Sequence, residues 1–340
     1  MRASSRPASN PLGAERVLIP KGVLPQAADR LDPSLPLFRD ETLLEVDQLN
    51  LDSASFRQLR ESCGDQAQLI AERILGIVRE RGKMQNPVTG SGGMLVGRVV
   101  ELGPEAPPRF AVGDRVATLV SLTLTPLVLE GVSHIDMQSA QATVRGRAIL
   151  FASAPAVRMP DDLPEGLALS ILDVCGAPAH LRDMLRGDER LLMIGAGKSA
   201  ALSVFAALER LPREAIWVSD VSAEALERFG ALGAAGHLFQ ADAQDPLGFA
   251  TSLRAESAPP FDWVVNLCNA PETEAASILA ARQGGQVLFF NMATNFSRAV
   301  LSAEGMGREV RLLMGNGYAE GHAEYALSLV RKHPVLEKFF

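Results

Sequence analysis

Only three cysteines occur in the 340 residues, Cys63, Cys175 and Cys268, and they lie too far apart for a disulfide framework or a metal-ligand spacing. Each reads as a buried small hydrophobe in a reducing compartment. Basic charge is in deficit: 33 Lys and Arg stand against 40 Asp and Glu, a formal net charge of −7. With no basic cluster interleaved with aromatics, nucleic acid is excluded as a partner. Long apolar runs are missing too. No stretch of about eighteen apolar residues occurs, and the segment Met1 to Ser9 carries arginines and serines without an apolar core. The expectation is a soluble, cytoplasmic protein with no membrane segment.

What is present is enough apolar material, 47% of the chain, for two domains. Residues 15–155 read as short β-runs broken by Pro and Gly: Glu15 to Ile19, Glu41 to Leu49, Leu95 to Leu102, Arg115 to Leu119 and Arg147 to Phe151. That pattern suits a partly open barrel. A helical insertion near residues 66–81 interrupts it, with Leu69, Ile70, Ile74, Ile77 and Val78 on one face. From Leu167 the period changes. A helix over Leu167 to Leu185 leads into six strands with intervening helices: Leu191 to Ile194, Ala215 to Ser219, His237 to Phe239, Trp263 to Leu267, Gln286 to Phe290 and Val310 to Met314. The fold class is α/β, with a doubly wound parallel sheet following the barrel. The expected domains are residues 1–170, residues 171–318 and a C-terminal helical segment, residues 319–340.

The sharpest motif is Gly195-Ala196-Gly197-Lys198-Ser199-Ala200, set between the apolar strand ending at Ile194 and the helical run Ala201 to Arg210. It is a dinucleotide-binding fingerprint in its G-x-G-x-x-A form. Gly195 permits the tight turn, Gly197 leaves room for a pyrophosphate, and Ala200 lets helix and strand pack closely. The phosphates would sit on unpaired N–H groups at the helix N-terminus. A second strand ends in Asp220, twenty residues past Ala200, where a carboxylate accepts ribose hydroxyls and repels a 2′-phosphate. This favours NAD; NADP stays open, since Arg228 is within reach of a 2′-phosphate. A triphosphate P-loop is excluded because Leu192 stands five positions before Gly197, where that motif needs glycine. Lys198 reads as a solvated first-turn lysine or a pyrophosphate contact. Asn266, Asn269, Asn291 and Thr294 fall at the C-terminal ends of the fourth and fifth strands of this sheet, the ligand edge. Asn269 and Thr294 are therefore candidates for the nicotinamide or its ribose, or simply turn stabilisers.

Two sets of phrases carry a resemblance. Gly97 to Gly103 with Phe110 to Val116, and Phe261 to Leu267 with Gly284 to Phe290, resemble the barrel and cofactor domains of medium-chain dehydrogenases/reductases. The implied architecture is a GroES-like partly open β-barrel plus a Rossmann domain, paired into a homodimer or higher homo-oligomer through the sixth strand, about Val310 to Met314. Pro20 to Gln26, Asn50 to Phe56, Asn86 to Met94, Ala117 to Leu127, Leu172 to Ala179, and Gly315 to Tyr318 with Gly321 to Ala323 resemble more narrowly the 3,5-diaminohexanoate dehydrogenase family. One departure is the loop in which Gly197 meets Lys198 directly, where the resemblance implies a further glycine.

The resemblance implies NAD(P)-dependent oxidative deamination of a small diamino acid, (3S,5S)-3,5-diaminohexanoate, to (S)-5-amino-3-oxohexanoate with release of ammonia, in lysine fermentation. It also implies the absence of zinc. Aligned on Gly97, the Gly-His-Glu phrase of the zinc-dependent members becomes Gly92-Gly93-Met94, and the first and third ligand positions fall at Asp52 and near Asp173. Two carboxylates suit an ammonium better than a zinc ion. On this reading Asp52 holds the reacting amine and takes its proton, Asp173 fixes water or the second ammonium, and Lys21 meets the substrate carboxylate. Other readings of the same residues stay open. Asp52 can cap a helix starting near Ser53, Asp173 can bond backbone amides around Pro178, and Lys21 can be a solvated turn residue. Ser91, Ser121 and Thr123 are further polar candidates, and His322 reads as a cap or surface histidine or as a catalyst. Two rivals remain: a zinc-free NADPH-dependent quinone or enone reductase of the same superfamily, and a nucleotide-binding protein without catalysis.

Overall fold

The computed structural model describes residues 6, 7, 9–119 and 122–340. The chain divides into two compact units, Met1–Leu169 and Ser170–Phe340. In the first, the strands are β1 (Val17–Ile19), β2 (Arg30–Leu31) and β3 (Thr42–Leu51), then helices α1 (Ser53–Cys63) and α2 (Ala67–Arg81), then β4 (Gly93–Leu102), β5 (Arg115–Thr118), β6 (Leu127–Asp136), β7 (Gln141–Leu150) and β8 (Ala156–Arg158). Six of these form one antiparallel sheet in the order β6-β7-β3-β4-β5-β8. Its centre is β3, whose buried Leu44, Val46, Leu49 and Leu51 pack with Ile70, Ile74, Ile77 and Val78 of α2 in one core.

Leu69 departs from the expected helix face and is 40% exposed. One residue before Ile70, it projects about 100° around the helix from the buried stripe. The N-terminal strand pair is stapled to the sheet by a fully buried ion pair. Arg16 donates from Nε and from a terminal nitrogen to the two oxygens of Glu41, at 2.9 and 2.6 Å. Removing either partner would strand a buried charge.

The second unit begins within α3 (Glu165–Leu172), followed by α4 (Gly176–Met184), β9 (Leu191–Ile194), α5 (Lys198–Leu208), β10 (Ile216–Asp220), α6 (Ala223–Gly230), β11 (His237–Gln240) and α7 (Pro246–Ala255). Then come β12 (Phe261–Asn266), α8 (Glu274–Ala280), β13 (Ala281–Phe289), α9 (Phe296–Gly305), β14 (Val310–Met314) and α10 (His322–Lys332). The six strands are all parallel and run β11-β10-β9-β12-β13-β14. This is a doubly wound sheet whose order reverses between β9 and β12. The wholly buried run Leu191–Ile194 is what a central strand covered on both faces requires.

Where one helix over Leu167 to Leu185 was expected, there are two, broken at Asp173–Cys175. Pro178 supplies the reason: in a continuous helix its ring would clash with the Val174 carbonyl and leave that carbonyl without a donor. In the first turn of α4 the same proline is tolerated.

Candidate functional site

In the first unit, β3 passes into α1 through Asp52, which has the extended conformation of an N-cap and accepts the Ser55 amide on Oδ1 at 2.9 Å. The same oxygen accepts the Ser91 hydroxyl at 2.9 Å. Ser91 Oγ lies 2.8 Å from Ser55 Oγ and 2.9 Å from Thr89 Oγ1, and the last two are 2.9 Å apart, closing a triangle of hydroxyls. The second carboxylate oxygen, Oδ2, is buried and has no hydrogen-bond partner. An unpaired buried acceptor carries its full desolvation cost. The carboxylate is thus held by one oxygen while the other is left without a partner.

The strand opposite comes close because Gly93, at φ +116°, starts β4; a Cβ there would lie 2.1 Å from the Asn50 carbonyl. The loop before it is fixed from within. Asn86, fully buried, donates to Gln58 Oε1 at 2.9 Å, accepts the Val88 amide at 2.9 Å and bonds the Ser91 carbonyl through its own amide at 2.8 Å. Lys83 is fully buried and donates to the carbonyls of Pro25 at 2.8 Å, Gln26 at 3.1 Å and Thr123 at 2.8 Å. Burial, with repulsion from Arg81, pushes its pKa down to about 7 against an opposing pull from Asp29. Three carbonyls nevertheless match the three donors of an ammonium.

Lys21 sits exposed in the turn after β1, its ammonium bonded to the Val17 carbonyl. Among the described residues no hydrogen bond joins it to the Asp52 cluster. Thr123 serves Lys83 through its backbone carbonyl. Ser121 lies outside the described residues. No group of three or more His, Cys, Asp or Glu able to hold a metal is found among the described residues.

In the second unit the glycine loop lies at the switch point of the sheet. Gly195 has φ +105°, and a Cβ there would be 3.2 Å from the Cys268 amide beyond β12. At Gly197 a Cβ would project into open space, and α5 begins without a side-chain cap. Ser199, in its first turn, has a buried hydroxyl with no partner, while Ala200 is fully buried as the strand–helix packing requires. Asp220 accepts the Ala196 amide on Oδ2 at 2.8 Å and the Ser222 amide on Oδ1 at 2.9 Å. Beyond β10 opens a cavity of about 310 Å³ lined by Val221, Gln240, Ala241, Asp242, Asp245 and Gly248, among others. Open backbone, an unpartnered hydroxyl and an acceptor at the strand end fit a dinucleotide.

Lys198 reaches Ser170 Oγ at 3.3 Å and lies 5.7 Å from the Phe340 ring centroid. Desolvation lowers its pKa, and the Asp173 charge opposes that from within electrostatic reach. Asp173 itself is exposed in the break between α3 and α4. Arg228 is committed to Phe339, donating to its carbonyl and stacking at 4.2 Å from its ring centroid.

At the ends of β12 and β13, buried Asn266 donates to Thr273 and Ser277 at 2.8 and 2.9 Å, and Asn291 donates to Asn266 at 3.2 Å. Thr294 gives its hydroxyl proton to Asn291 at 3.0 Å, which leaves it only an acceptor. Asn269 is exposed. His322 is 2% exposed rather than a surface residue, with a buried Nε2 lacking a partner and a pKa lowered by burial. Of the cysteines only Cys175 is fully buried, its thiol pushed up to about 12 by burial. Cys63 and Cys268, against expectation, are partly exposed: Cys63 closes α1 and Cys268 lies just past β12, each packed at the margin of a hydrophobic core.

The residues that sequence reasoning missed are Ser55, Thr89, Asn86 and Lys83. Ser55 was legible as the third residue of a capped helix; for Lys83, directly after a helix-ending glycine, the sequence offers no signal of burial.

Comparison with known proteins identifies the family. Residues 15–160 match the model of the L-erythro-3,5-diaminohexanoate dehydrogenase N-terminal domain. The chain is 41% identical over 333 residues to L-erythro-3,5-diaminohexanoate dehydrogenase of Acetoanaerobium sticklandii, covering 96% of this chain and 97% of that protein. Identity to the enzyme of the same name from Fusobacterium nucleatum is 40%, covering 96% of each. Among solved structures, the quinone oxidoreductase from Coxiella burnetii superposes with a TM-score of 0.56 at 16% identity, covering 91% of this chain and 84% of that one. Galactitol-1-phosphate dehydrogenase from Escherichia coli gives 0.53 at 15%, covering 90% and 86%. At such identities these two speak for the fold alone, the medium-chain dehydrogenase/reductase architecture.

Proposed function

The chain belongs to the L-erythro-3,5-diaminohexanoate dehydrogenase family, and from that premise we propose that it oxidatively deaminates (3S,5S)-3,5-diaminohexanoate with Asp52 as the base. Substrate ammonium, oxidised cofactor and one water become (S)-5-amino-3-oxohexanoate, ammonium, reduced cofactor and one proton. The observation that carries this reading is the buried, unpartnered Oδ2 of Asp52. An amine N–H is the donor that oxygen lacks, and the amine must lose a proton before C3 can be oxidised. The second ammonium of the substrate eases that loss by repulsion.

The nicotinamide, when bound, supplies the hydride acceptor. Gly195 to Ala200 would hold its pyrophosphate and Asp220 its adenosine ribose, whose two hydroxyls the carboxylate has spare lone pairs to accept. Thr294 would accept from the carboxamide, and Asn269 would bond the nicotinamide or its ribose. We take NAD as the preferred cofactor, since Asp220 repels a 2′-phosphate and Arg228 is engaged by Phe339. Asp173 would fix water or the second ammonium, and Lys21, with donors to spare beyond its bond to Val17, the substrate carboxylate.

The three free cysteines suit a reducing cytoplasm, and β14, at the sheet edge with Met314 46% exposed, suits pairing with a second copy. No helix among the described residues is long and apolar enough to cross a membrane. Incubating the protein with synthetic 3,5-diaminohexanoate and NAD or NADP tests the assignment. Reduced nicotinamide and ammonia should appear in equal amounts; neither product, with either cofactor, would refute it.

A further inference from the structure

The deamination releases one net proton, and a base whose accepting oxygen, Asp52 Oδ2, is buried needs a way to return it to water. Around Asp52 the structure shows such a way. Oδ1 is bonded to Ser91 at 2.9 Å, and Ser91 to Thr89 at 2.9 Å. Thr89 is exposed, Ser91 half-buried and Ser55 fully buried. The series therefore runs outward from the carboxylate to solvent in two hydroxyl steps.

We infer that Ser91 and Thr89 form the proton exit of Asp52, with buried Ser55 holding both hydroxyls in line; this rests on Asp52 being the base. The proton leaves the substrate nitrogen for Oδ2, and the nitrogen keeps the electron pair. A half-turn of the carboxyl group presents the proton to Ser91. Ser91 accepts it and passes its own hydroxyl proton to Thr89, which passes its own to water. The carboxylate is regenerated, each hydroxyl ends with one proton, and no other reactant is consumed.

Three features favour a conduit over a merely rigid loop. A hydroxyl both donates and accepts, so each member can reverse its bond. The distances, 2.8 to 2.9 Å, are all within ordinary O–H···O range. The loop that carries Thr89 and Ser91 is anchored by Asn86 at Gln58 and at its own backbone, and Thr89 Oγ1 also accepts the Ser91 amide at 3.3 Å, which leaves its proton free to be passed on.

The test uses the full-length protein with 3,5-diaminohexanoate and its preferred nicotinamide. Thr89→Val keeps shape at an exposed position and removes the hydroxyl; Thr89→Ser keeps the hydroxyl; Ser91→Ala removes the first step. Thr89→Val and Ser91→Ala should lower kcat about 10- to 100-fold, the lower range of general acid–base effects, with KM for both substrates within twofold. Their solvent deuterium isotope effect should rise, and imidazole added as an external proton carrier should restore part of the rate. Thr89→Ser should match the parent. Unchanged kcat and isotope effect in Thr89→Val and Ser91→Ala would overturn the relay, as would a loss that imidazole does not relieve. Asp52→Asn separates the two claims. If it is inactive while the hydroxyl variants behave as the parent, only the relay fails; if it turns over normally, the assignment of the base fails and the relay with it.

Discussion

Asp220 Oδ2 accepts the amide of Ala196 at 2.8 Å, tying the end of β10 to the glycine loop that follows β9. The carboxylate proposed for the ribose thus also shapes the loop proposed for the pyrophosphate. Asp220→Ala should weaken both nicotinamides through the loop and NAD further through the lost ribose bonds. A hydrogen bond to a charged group contributes about 1.5–3 kcal/mol, so the ratio of kcat/KM for NAD over NADP should fall about 10- to 100-fold. Initial rates with each cofactor measure it, and an unchanged ratio would remove the ribose role.

Lys83 makes stability depend on pH in a definite direction. Its pKa is about 7 in the folded chain against a usual 10.5, so between those values the unfolded chain binds the proton that the folded chain has released. Stability from this group is therefore lowest below about 7 and rises as pH approaches 10.5. Lys83→Met abolishes that rise and leaves the Thr123 carbonyl without its Lys83 donor, at a cost of about 1–3 kcal/mol. In urea titrations the deficit of the variant should be larger at pH 9.5 than at pH 7. A deficit that is constant or shrinks would mean Lys83 is not desolvated as described.

Gly176 opens α4 where there is no space for a side chain: a Cβ would lie 2.8 Å from Phe290 and 2.9 Å from the Gly317 carbonyl. Gly176→Ala forces the backbone apart, at about 1–3 kcal/mol as for other overpacked sites. At roughly 2–4 °C per kcal/mol for a unit of this size, thermal unfolding should shift down by several degrees. An unchanged Tm would show that α4 can move.

The parallel sheet was legible because its central strand, buried on both faces, reads as an apolar run: Leu191–Ile194 matches its expected limits. β6 was not, since this edge strand is mostly half-buried or exposed, contains Gly131 and shifts register twice, so its residues never alternate cleanly. β7 began earlier than expected because two of its inward positions, Ala142 and Gly146, are small residues that mark a buried face weakly. At the site, the two readings of Asp52 proved compatible. Oδ1 caps α1 and Oδ2 is left without a partner. Sequence alone offers one carboxylate and two roles; only the side-chain conformation shows that each oxygen can serve one of them.

The central claim is that Asp52 deprotonates the reacting amine, and its most direct measurement is kcat/KM for 3,5-diaminohexanoate with Asp52→Asn. Asparagine preserves the helix cap, so folding and cofactor affinity should hold while kcat/KM falls about 10²- to 10⁴-fold, the range of a lost general base. Turnover within about threefold of the parent would contradict the account.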